Sequence, residues 1–402
     1  MWSPLPIPTP QRRASQQAIL DYAWKAQAFT ASDAMPEVDL TRSTTIEAID
    51  ALVACGLLTE LPNAREAGQY SKGRPSRRFE LNAQAAHVVG VDAGQGHYTI
   101  RVADLRGAVK NASSVDVAHA TTAEDRRGAL IAAIAVALSD ATLSWEDIVS
   151  IAVGVPAPVN RHGDSPVHAE NFWPTMNPDF RSLLNAMVPL VQVENDAALA
   201  AIAERAVGAA QGLDNFVALL AGERFGSGVV VDGHLLRGLH GGVGEMYALI
   251  HVEGIGEADG LGSIVARWAR ELARSGDVPA GHPLAQASPD ELTSKFVFEL
   301  ARGGDGIALE LVQRTGERLA RIAGFFGGFY DPERIIVGGA VAAEVQGVID
   351  VAQELLPGEL HLPEPELVAS ALGADVVAVG AVEAALDHAR AEVLSLCVAR
   401  DQ

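Results

Sequence analysis

Basic residues cluster in one short stretch of this acidic chain. Between Arg65 and Glu80 five Lys or Arg side chains stand against two Glu, whereas the whole chain has 30 basic and 51 acidic residues and a formal net charge of −21. Cationic side chains bind phosphates, which the acidic remainder would repel. We therefore expect any nucleic acid to dock on this stretch. The candidate contacts there are Lys72, Arg74, Arg77 and Arg78.

A second group of polar side chains opens the third of three predicted helices. This group consists of Arg42, Ser43, Thr44, Thr45 and Glu47. Hydroxyls, arginine and the N–H groups of a helix N-terminus suit phosphates, and Arg, Thr and Glu can also bind base edges. The alternative is a small helical domain for protein contacts whose charges form a solvated face. Helical spacing alone does not separate the two, but the glycine, proline and arginines of residues 73–78 favour a loop that enters a minor groove.

Hydrophobic periodicity predicts the first two helices. An apolar stripe with three- and four-residue spacing predicts a helix over Ser15–Phe29, with Leu20, Ala23, Trp24 and Ala28 on one face. Thr30 and Asp33 predict a capping box that opens a second, short helix. Pro36 is expected to end that helix early.

The third helix and two short strands complete the layout of a winged helix-turn-helix. We expect the helix to begin at Thr41 or Arg42 and to stop at Gly56. Its predicted inward-facing residues are Ile46, Ile49, Leu52 and Val53. The strand candidates Leu57–Thr59 and Arg78–Leu81 would flank the basic loop.

One pattern of strand, glycine loop, strand and tight turn occurs twice downstream. The first copy has strands over His87–Gly94 and Tyr98–Ala103, and the second has strands over Phe216–Gly222 and Val229–Val231. Amphipathic helices are predicted between and after the two copies, including Asp125–Ser139 and Ala197–Ala210. The strand Arg334–Val337 begins a further strand-to-helix unit. Such a duplication predicts two related α/β lobes facing a cleft.

Several protein classes are excluded by composition. The longest apolar runs, such as Ala129–Leu138, are too short to cross a bilayer. The first residues, MWSPLPIPTPQRR, lack the apolar segment of a signal peptide. Cys55 and Cys397 lie far apart without the spacing of a zinc site or a disulfide framework. We therefore expect a cytoplasmic protein that makes no contact with membranes.

Seven segments resemble, in order and spacing, the ROK family of repressors, open reading frames and kinases. They are GRPSRRFELN, VGVDAG, IAVGVPAPVN, NFWP, VENDA, FGSGVVVDGHLLRGLHGGVGE and DPERIIVGGAVA. The resemblance implies an α/β fold in which a winged helix-turn-helix precedes a duplicated actin-like (ribonuclease H-like), two-lobed ATPase or sugar-kinase fold. The predicted boundaries are a disordered tail over 1–11, the DNA-binding domain over 12–85 and the body over 86–402. Within the body, the first lobe covers about 86–195 plus the C-terminal helix, and the second covers about 196–380.

The resemblance also implies where an effector would bind. The general base of the family's kinases is the Asp of an Asn-Asp pair, which corresponds to Asn195 and Asp196. Asn171 and Glu245 match positions that contact sugar. The alternatives are that Asp196 caps the following helix and that Asn171 and Glu245 only order glycine-rich loops. We favour effector contact for all four residues, and a regulator can keep Asp196 for binding alone.

The phosphate loops depart from the family's kinase pattern. The first, Asp92 to His97, lacks the hydroxyl residue and lysine that family kinases place there. In the second, Glu223 and Arg224 replace a Thr-Gly pair. A carboxylate about 4 Å from a phosphate costs roughly 4 kcal/mol at an effective dielectric constant of about 20. We therefore expect neither ATP binding nor kinase activity.

The family's zinc site is altered as well. Ala248 stands where family members have a histidine, and residues 255–262 replace the cysteine cluster that supplies the other ligands. His251 lies nearby without partners, which is more typical of a structural histidine than of a ligand. We expect no zinc and no other cofactor.

These observations lead to one interpretation and two alternatives. The chain is predicted to be a regulator of carbohydrate metabolism, a repressor or activator that binds a double-stranded DNA operator. A carbohydrate or phosphosugar would be its effector, and it would act as a homodimer or homotetramer. The alternatives are an active ATP-dependent sugar kinase with an appended DNA-binding domain, and a dimeric DNA-binding protein without an effector.

Overall fold

The computed structural model describes residues 9–62, 76–118, 120–167, 172–339, 341–342 and 344–399. Its first unit contains three helices and a three-stranded antiparallel sheet of order β1-β3-β2. In chain order these elements are α1 (Pro10–Lys25), β1 (Phe29–Thr30), α2 (Ala31–Val38), α3 (Arg42–Ala54), β2 (Leu58–Leu61) and β3 (Arg78–Leu81). This is the arrangement of the predicted winged helix.

The first helix begins and ends earlier than its apolar stripe predicts. Thr9 caps α1 and Pro10 occupies its first turn, where the missing N–H of proline costs no hydrogen bond. The expectation of a disordered tail to residue 11 is therefore wrong for residues 10 and 11. Ala28 lies beyond the helix and is exposed.

The turn chemistry of the next two helices was predicted more closely. The capping box of Thr30 and Asp33 is present, but Pro36 lies inside α2, which continues to Val38. Thr41 caps α3, and Gly56 follows it with φ +86°, the left-handed conformation expected of a stop signal.

The first lobe of the body is built on a five-stranded sheet of order β6-β5-β4-β7-β8. Strands β4, β5 and β6 are antiparallel, and β7 and β8 continue the sheet in parallel. The elements are β4 (His87–Ala93), β5 (His97–Asp104), β6 (Val109–Asp116), α4 (Ala123–Asp140), β7 (Ile148–Val155), α5 (Phe172–Met176), α6 (Phe180–Asn185) and β8 (Leu190–Asn195).

The second lobe repeats this sheet with the order β11-β10-β9-β12-β13. Both sheets follow the same order by chain position, third, second, first, fourth, fifth, so the predicted duplicated actin-like fold is confirmed. The elements are α7 (Asp196–Val207), β9 (Phe216–Leu220), β10 (Gly226–Val231), β11 (His234–Leu235), α8 (Leu261–Ser275), α9 (Pro283–Gln286), α10 (Ser294–Arg302), α11 (Gly306–Tyr330), β12 (Arg334–Gly338), α12 (Gln346–Leu355), β13 (Glu366–Ala369) and α13 (Val376–Ala399).

Helix α13 connects the body with the winged helix. It packs on β4 and β7 of the first sheet and on α7, where a Cβ at Gly380 would lie 1.9 Å from the carbonyl oxygen of Leu199. Its last turns contact the first unit: the Arg390 guanidinium lies 5.4 Å from the ring centroid of Trp24. The buried thiols of Cys55 and Cys397 form a hydrogen bond there, although the two residues are far apart in sequence.

The longest helices bury much of their surface inside the protein. Helix α11 contributes its central residues to the core of the second lobe, including Leu319, Ile322 and Phe326. Within the described ranges, no helix combines the length and the hydropathy needed to cross a membrane.

Candidate functional site

One face of α3 is open to solvent and carries most of the polar residues predicted to contact DNA. Its exposed residues are Arg42, Ser43, Ile46, Glu47 and Asp50. Thr44 is half-buried, and its hydroxyl lies 2.8 Å from that of the capping residue Thr41. Thr44 is therefore partly engaged at the helix start.

The assignment of Thr45 to the DNA surface is wrong. Its side chain has no exposed area and lies on the inward face of α3 with Ile49 and Leu52. Ile46, which we expected to point inward, is 37% exposed instead. Successive helix positions differ by about 100°, so a small rotation of the predicted face exchanges these two residues.

Arg77 is committed to two intramolecular ion pairs. Its guanidinium lies 2.7 Å from the carboxylate of Asp50 on α3 and 2.7 Å from that of Glu60 on β2. It also covers the ring of Phe79 at 5.0 Å. The hydrogen bonds that Arg77 donates to Glu60 and to Asp50 raise the pKa of Arg77, so it remains charged. Arg77 thus ties the wing to α3, a role that the sequence alone did not indicate.

Of the three other predicted wing contacts, the structure describes one. Arg78 opens β3 and is half-buried. Lys72 and Arg74 lie outside the described residues.

Three carboxylates converge in the cleft between the lobes. Asp92 is the last residue but one of β4 in the first lobe, Asp196 begins α7, and Glu245 forms a β-bridge with Gly226 within the second lobe. Burial raises the pKa of Asp196 to about 7, with further contributions from the charges of Asp92 and Glu245. Burial also raises the pKa of Glu245, which the nearby Arg224 partly offsets. The cleft therefore concentrates hydrogen-bond acceptors, the chemistry that sugar hydroxyls need.

A glycine fixes Glu245 in this position. Gly244 has φ +91°, and a Cβ there would lie 1.9 Å from the carbonyl oxygen of Ser227. The chain can pass this close to β10 only without a side chain. Ser227 is buried, and its Oγ donates a 3.0 Å hydrogen bond to the carbonyl of Gly244.

The helix cap belongs to Asn195 rather than to Asp196. The Oδ1 of Asn195 accepts from the N–H of Ala198 at 3.1 Å, and its Nδ2 donates to the carbonyl of Ala157 at 3.1 Å. Helix α7 begins one residue earlier than predicted, which places Asp196 in its first turn. Asn195 thus positions Asp196, whose Oδ1 accepts from the N–H of Ala197 at 2.7 Å and whose Oδ2 makes no described hydrogen bond. Asn171 lies outside the described residues.

The first glycine loop has its own histidine close to Gly94. A Cβ at Gly94 would lie 3.4 Å from the ring carbon Cε1 of His97, so the ring lies beside the loop. The carboxylate of Asp92, 3.6 Å from Nε2, raises the pKa of His97, and Glu223 on the second loop adds to this rise. An imidazole and a carboxylate therefore stand where the resemblance would place nucleotide phosphates.

Arg224 crosses the cleft. Its guanidinium lies 4.9 Å from the ring centroid of Phe172 on α5 of the first lobe, a cation–π contact. Among the described ion pairs, none joins Arg224 to Glu223. This contact joins Arg224 of the second lobe to Phe172 of the first, beside Glu245.

A buried arginine organises the segment that replaces the family's cysteine cluster. Arg318 on α11 is 2% exposed and donates to the carbonyls of Ile255 and Asp259, each at 2.8 Å, and to that of Glu257. Burial lowers the pKa of Arg318 to about 10, which leaves it charged at neutral pH. One guanidinium thus cross-links a segment that has no cysteines.

A family model, a glucokinase and a repressor all match the body of this chain. A family model described as the ROK family matches residues 88–388. Glucokinase of Streptomyces coelicolor is 30% identical over 74% of this chain and 96% of its own. The xylose repressor of Caldicellulosiruptor bescii is 23% identical over 75% of this chain and 76% of its own. The chain spans only 40% of the bifunctional enzyme NanE/NanK of Brucella suis, with 29% identity.

A solved structure matches the whole fold, including the first unit. It is a ROK family transcriptional regulator, a homologue of the Escherichia coli MLC protein, with a TM-score of 0.74 and 22% identity. The match covers 96% of this chain and 98% of the other. The two proteins therefore share the arrangement of winged helix and two-lobed body.

Proposed function

The chain belongs to the ROK family, and on that premise we propose that it is a DNA-binding transcriptional regulator, a repressor of carbohydrate metabolism. The observation that carries the proposal is the position of α13. This helix packs on both the sheet and the helix that border the cleft, and its other end contacts the winged helix. A ligand in the cleft and DNA on α3 would therefore act on the same element.

The DNA surface is formed by α3 and the wing. Arg42 lies in the first turn of α3, where its guanidinium and the N–H groups of the helix suit a phosphate. Ser43 and Glu47 follow on the exposed face, and Ile46 offers an apolar contact for a thymine methyl group. Arg77 keeps this face and the wing in a fixed relationship.

The effector site is formed by Asp196 and Glu245. Both are acceptors in a cleft, and sugar hydroxyls are donors. A carbohydrate, or a phosphosugar whose phosphate lies toward His97 and Arg224, fits this combination of charges. Binding would fix the relative position of the two lobes.

We propose that this chain has lost both the ATP site and the zinc site of other family members. His97 lies beside the first phosphate loop, and Glu223 adds negative charge to the second. Arg318 holds the segment in which the family's cysteine cluster would lie. The protein therefore works without ATP and without zinc.

An active sugar kinase is the second candidate, and one observation favours it. The pKa of Asp196, raised to about 7, is close to the value that a general base needs at neutral pH. An ATP-consumption assay over a panel of hexoses separates the two candidates. Turnover that Asp196→Asn abolishes would establish the kinase.

Oligomerisation completes the proposal. Phe329 near the end of α11 is 70% exposed and stacks on Phe325 with ring centroids 4.5 Å apart. Exposed aromatic pairs are typical of protein interfaces. A homodimer or homotetramer would present two winged helices to a two-fold symmetric operator, and sedimentation equilibrium measures the state.

The proposal is tested by selecting bound duplexes from a pool of random DNA and then titrating the best binder. Wild type should enrich a defined sequence, and Arg42→Ala should weaken its binding by about tenfold, as for one lost charge-assisted contact of roughly 1.4 kcal/mol. Arg274→Ala, which removes an exposed arginine of α8, is the matched control. A pool that yields no enriched sequence would refute DNA regulation.

A further inference from the structure

A basic pocket lies between the edge strands of the two sheets, away from the cleft carboxylates. Two adjoining cavities of about 300 and 390 Å³ open there beside β8 of the first sheet and β11 of the second. They share three lining residues, Gln192, Arg237 and His388. Ligands that occupy this place would touch both lobes.

Four arginines from separate segments line this pocket. They are Arg161, Arg181, Arg205 and Arg237. The acidic residues of the lining have partners of their own: Glu194 is buried 2.6 Å from Arg237, and Asp387 lies 3.0 Å from Arg390. Three arginine charges therefore remain without a carboxylate among the described ion pairs of the lining.

The free arginines are held in place through few of their donors. One nitrogen of Arg205 donates to the carbonyl of Gly233 at 2.7 Å, and one of Arg181 donates to that of His162. A guanidinium has five N–H donors, so most of them stay available. His388, which lines both cavities, also has a buried ring Nδ1 without a described hydrogen-bond partner.

This concentration of cations contrasts with the rest of the protein. The whole chain has 30 basic and 51 acidic side chains, yet the described lining of these cavities has a surplus of positive charge. Like charges in one cavity repel, and a bound anion relieves that repulsion. Guanidinium forks match the oxygens of a phosphate group in particular.

We propose that this pocket binds a phosphate monoester or free phosphate, at a site separate from the cleft. Its position suggests regulation of the proposed effector site: Glu194 immediately precedes Asn195 and Asp196, and Arg237 lies on the segment that leads to Glu245. An anion at the pocket contacts both segments that supply cleft carboxylates. Only this regulatory role rests on the proposed function; phosphate binding does not.

The test is isothermal titration of the full-length protein with inorganic phosphate, glucose 6-phosphate and glucose at constant ionic strength. The double variant Arg161→Ala/Arg181→Ala removes two exposed guanidiniums, and Arg274→Ala is the control for a lost surface charge. We expect inorganic phosphate to saturate one site per chain and to bind the double variant at least tenfold more weakly, and glucose 6-phosphate to lose its binding to this site in the same variant. Glucose should bind both proteins alike.

Three outcomes of these titrations would overturn the proposal. They are the absence of saturable phosphate binding, equal affinity in wild type and the double variant, and an equal loss in Arg274→Ala. Arg224→Ala separates this site from the cleft, because it removes the guanidinium that lies beside Glu245 and leaves the lining of the pocket unchanged. If that variant loses inorganic phosphate binding, the anion lies in the cleft and the pocket assignment is wrong. Failure of DNA binding would leave the phosphate result unaffected.

Discussion

The guanidinium of Arg77 lies between the carboxylates of Asp50 and Glu60, 2.7 Å from each. Arg77 immediately precedes β3, whereas Asp50 lies on α3 and Glu60 on β2, so one side chain joins the wing to the helix of the proposed DNA surface. Its single charge also offsets one of the two carboxylate charges that would face DNA there.

Arg77→Ala should weaken operator binding by roughly fourfold. Losing one positive charge about 10 Å from a phosphate costs roughly 0.8 kcal/mol at an effective dielectric constant of about 40. Adding Asp50→Asn and Glu60→Gln should restore most of the affinity, measured by fluorescence anisotropy over a salt series. A failure of this rescue, with a salt slope lower by about 0.9, would mean that Arg77 binds a phosphate directly.

Arg78→Ala should instead lower the salt slope by about 0.9 if this residue contacts one phosphate. Substituting Arg74 as well should lower the slope further. The same anisotropy titrations measure both variants, with Arg274→Ala as control. An unchanged slope in the double variant would exclude the wing from the DNA contact.

Asp196→Asn should stabilise the protein at high pH. The folded-state pKa of about 7 lies above the ordinary value of 3.8, so the ionised carboxylate destabilises the fold as pH rises from about 4 to 7. Between pH 5 and 8 the stability of wild type relative to the variant should fall by roughly 2–3 kcal/mol. Urea unfolding at both pH values measures it. Equal differences at pH 5 and pH 8 would contradict the burial of this carboxyl group.

Asp196→Ala and Glu245→Ala should weaken effector binding by one to two decades. Charge-assisted hydrogen bonds to sugar hydroxyls are worth roughly 1.5–3 kcal/mol each. Operator binding without sugar should stay near that of wild type, since Asn195 rather than Asp196 caps α7. Operator titrations over a sugar series measure the response. A mutant that responds at the wild-type sugar concentration would refute the cleft assignment.

Arg318→Ala should destabilise the second lobe by at least about 3 kcal/mol, because three carbonyls would lose a buried donor. Thermal unfolding of Arg318→Ala and of the exposed-site control Arg274→Ala measures this loss of stability.

Elemental analysis of the wild-type protein should find no stoichiometric zinc. One zinc per chain would show that residues 255–262 retain a metal site.

The duplication could be predicted because each copy repeats its turns as well as its strands. Gly94, Gly107, Gly228 and Gly233 mark the same sequence of loop and turn in both lobes, and local turn chemistry does not depend on distant contacts. The pairing of consecutive strands then accounts for the antiparallel half of each sheet, whereas the fourth strand of each lobe pairs with the first. The limits of α1 were less predictable, since its apolar stripe covers only the buried part of the helix.

The side-chain partners could not be predicted in the same way. Arg77 and Asp50 are 27 residues apart, and Arg318 and Ile255 are 63 apart, so only the folded chain brings them together. The burial of Thr45 and the exposure of Ile46 could not be predicted for another reason. Amino-acid type alone favours isoleucine over threonine in a core, but in this helix threonine occupies the inward-facing position.

The geometry of α13 has a mechanical consequence. Its 24 residues make a rod of about 36 Å at 1.5 Å per residue, fixed near one end by the tight crossing at Gly380. If the rod tilts by about 10° about that pivot, Arg390 moves by roughly 2–3 Å and Cys397 by roughly 4–5 Å at 1.5 Å per residue. Since Arg390 contacts Trp24 and Cys397 contacts Cys55, such a change between the lobes would shift the winged helix, and in the proposed homodimer it would alter the spacing of two winged helices along a duplex.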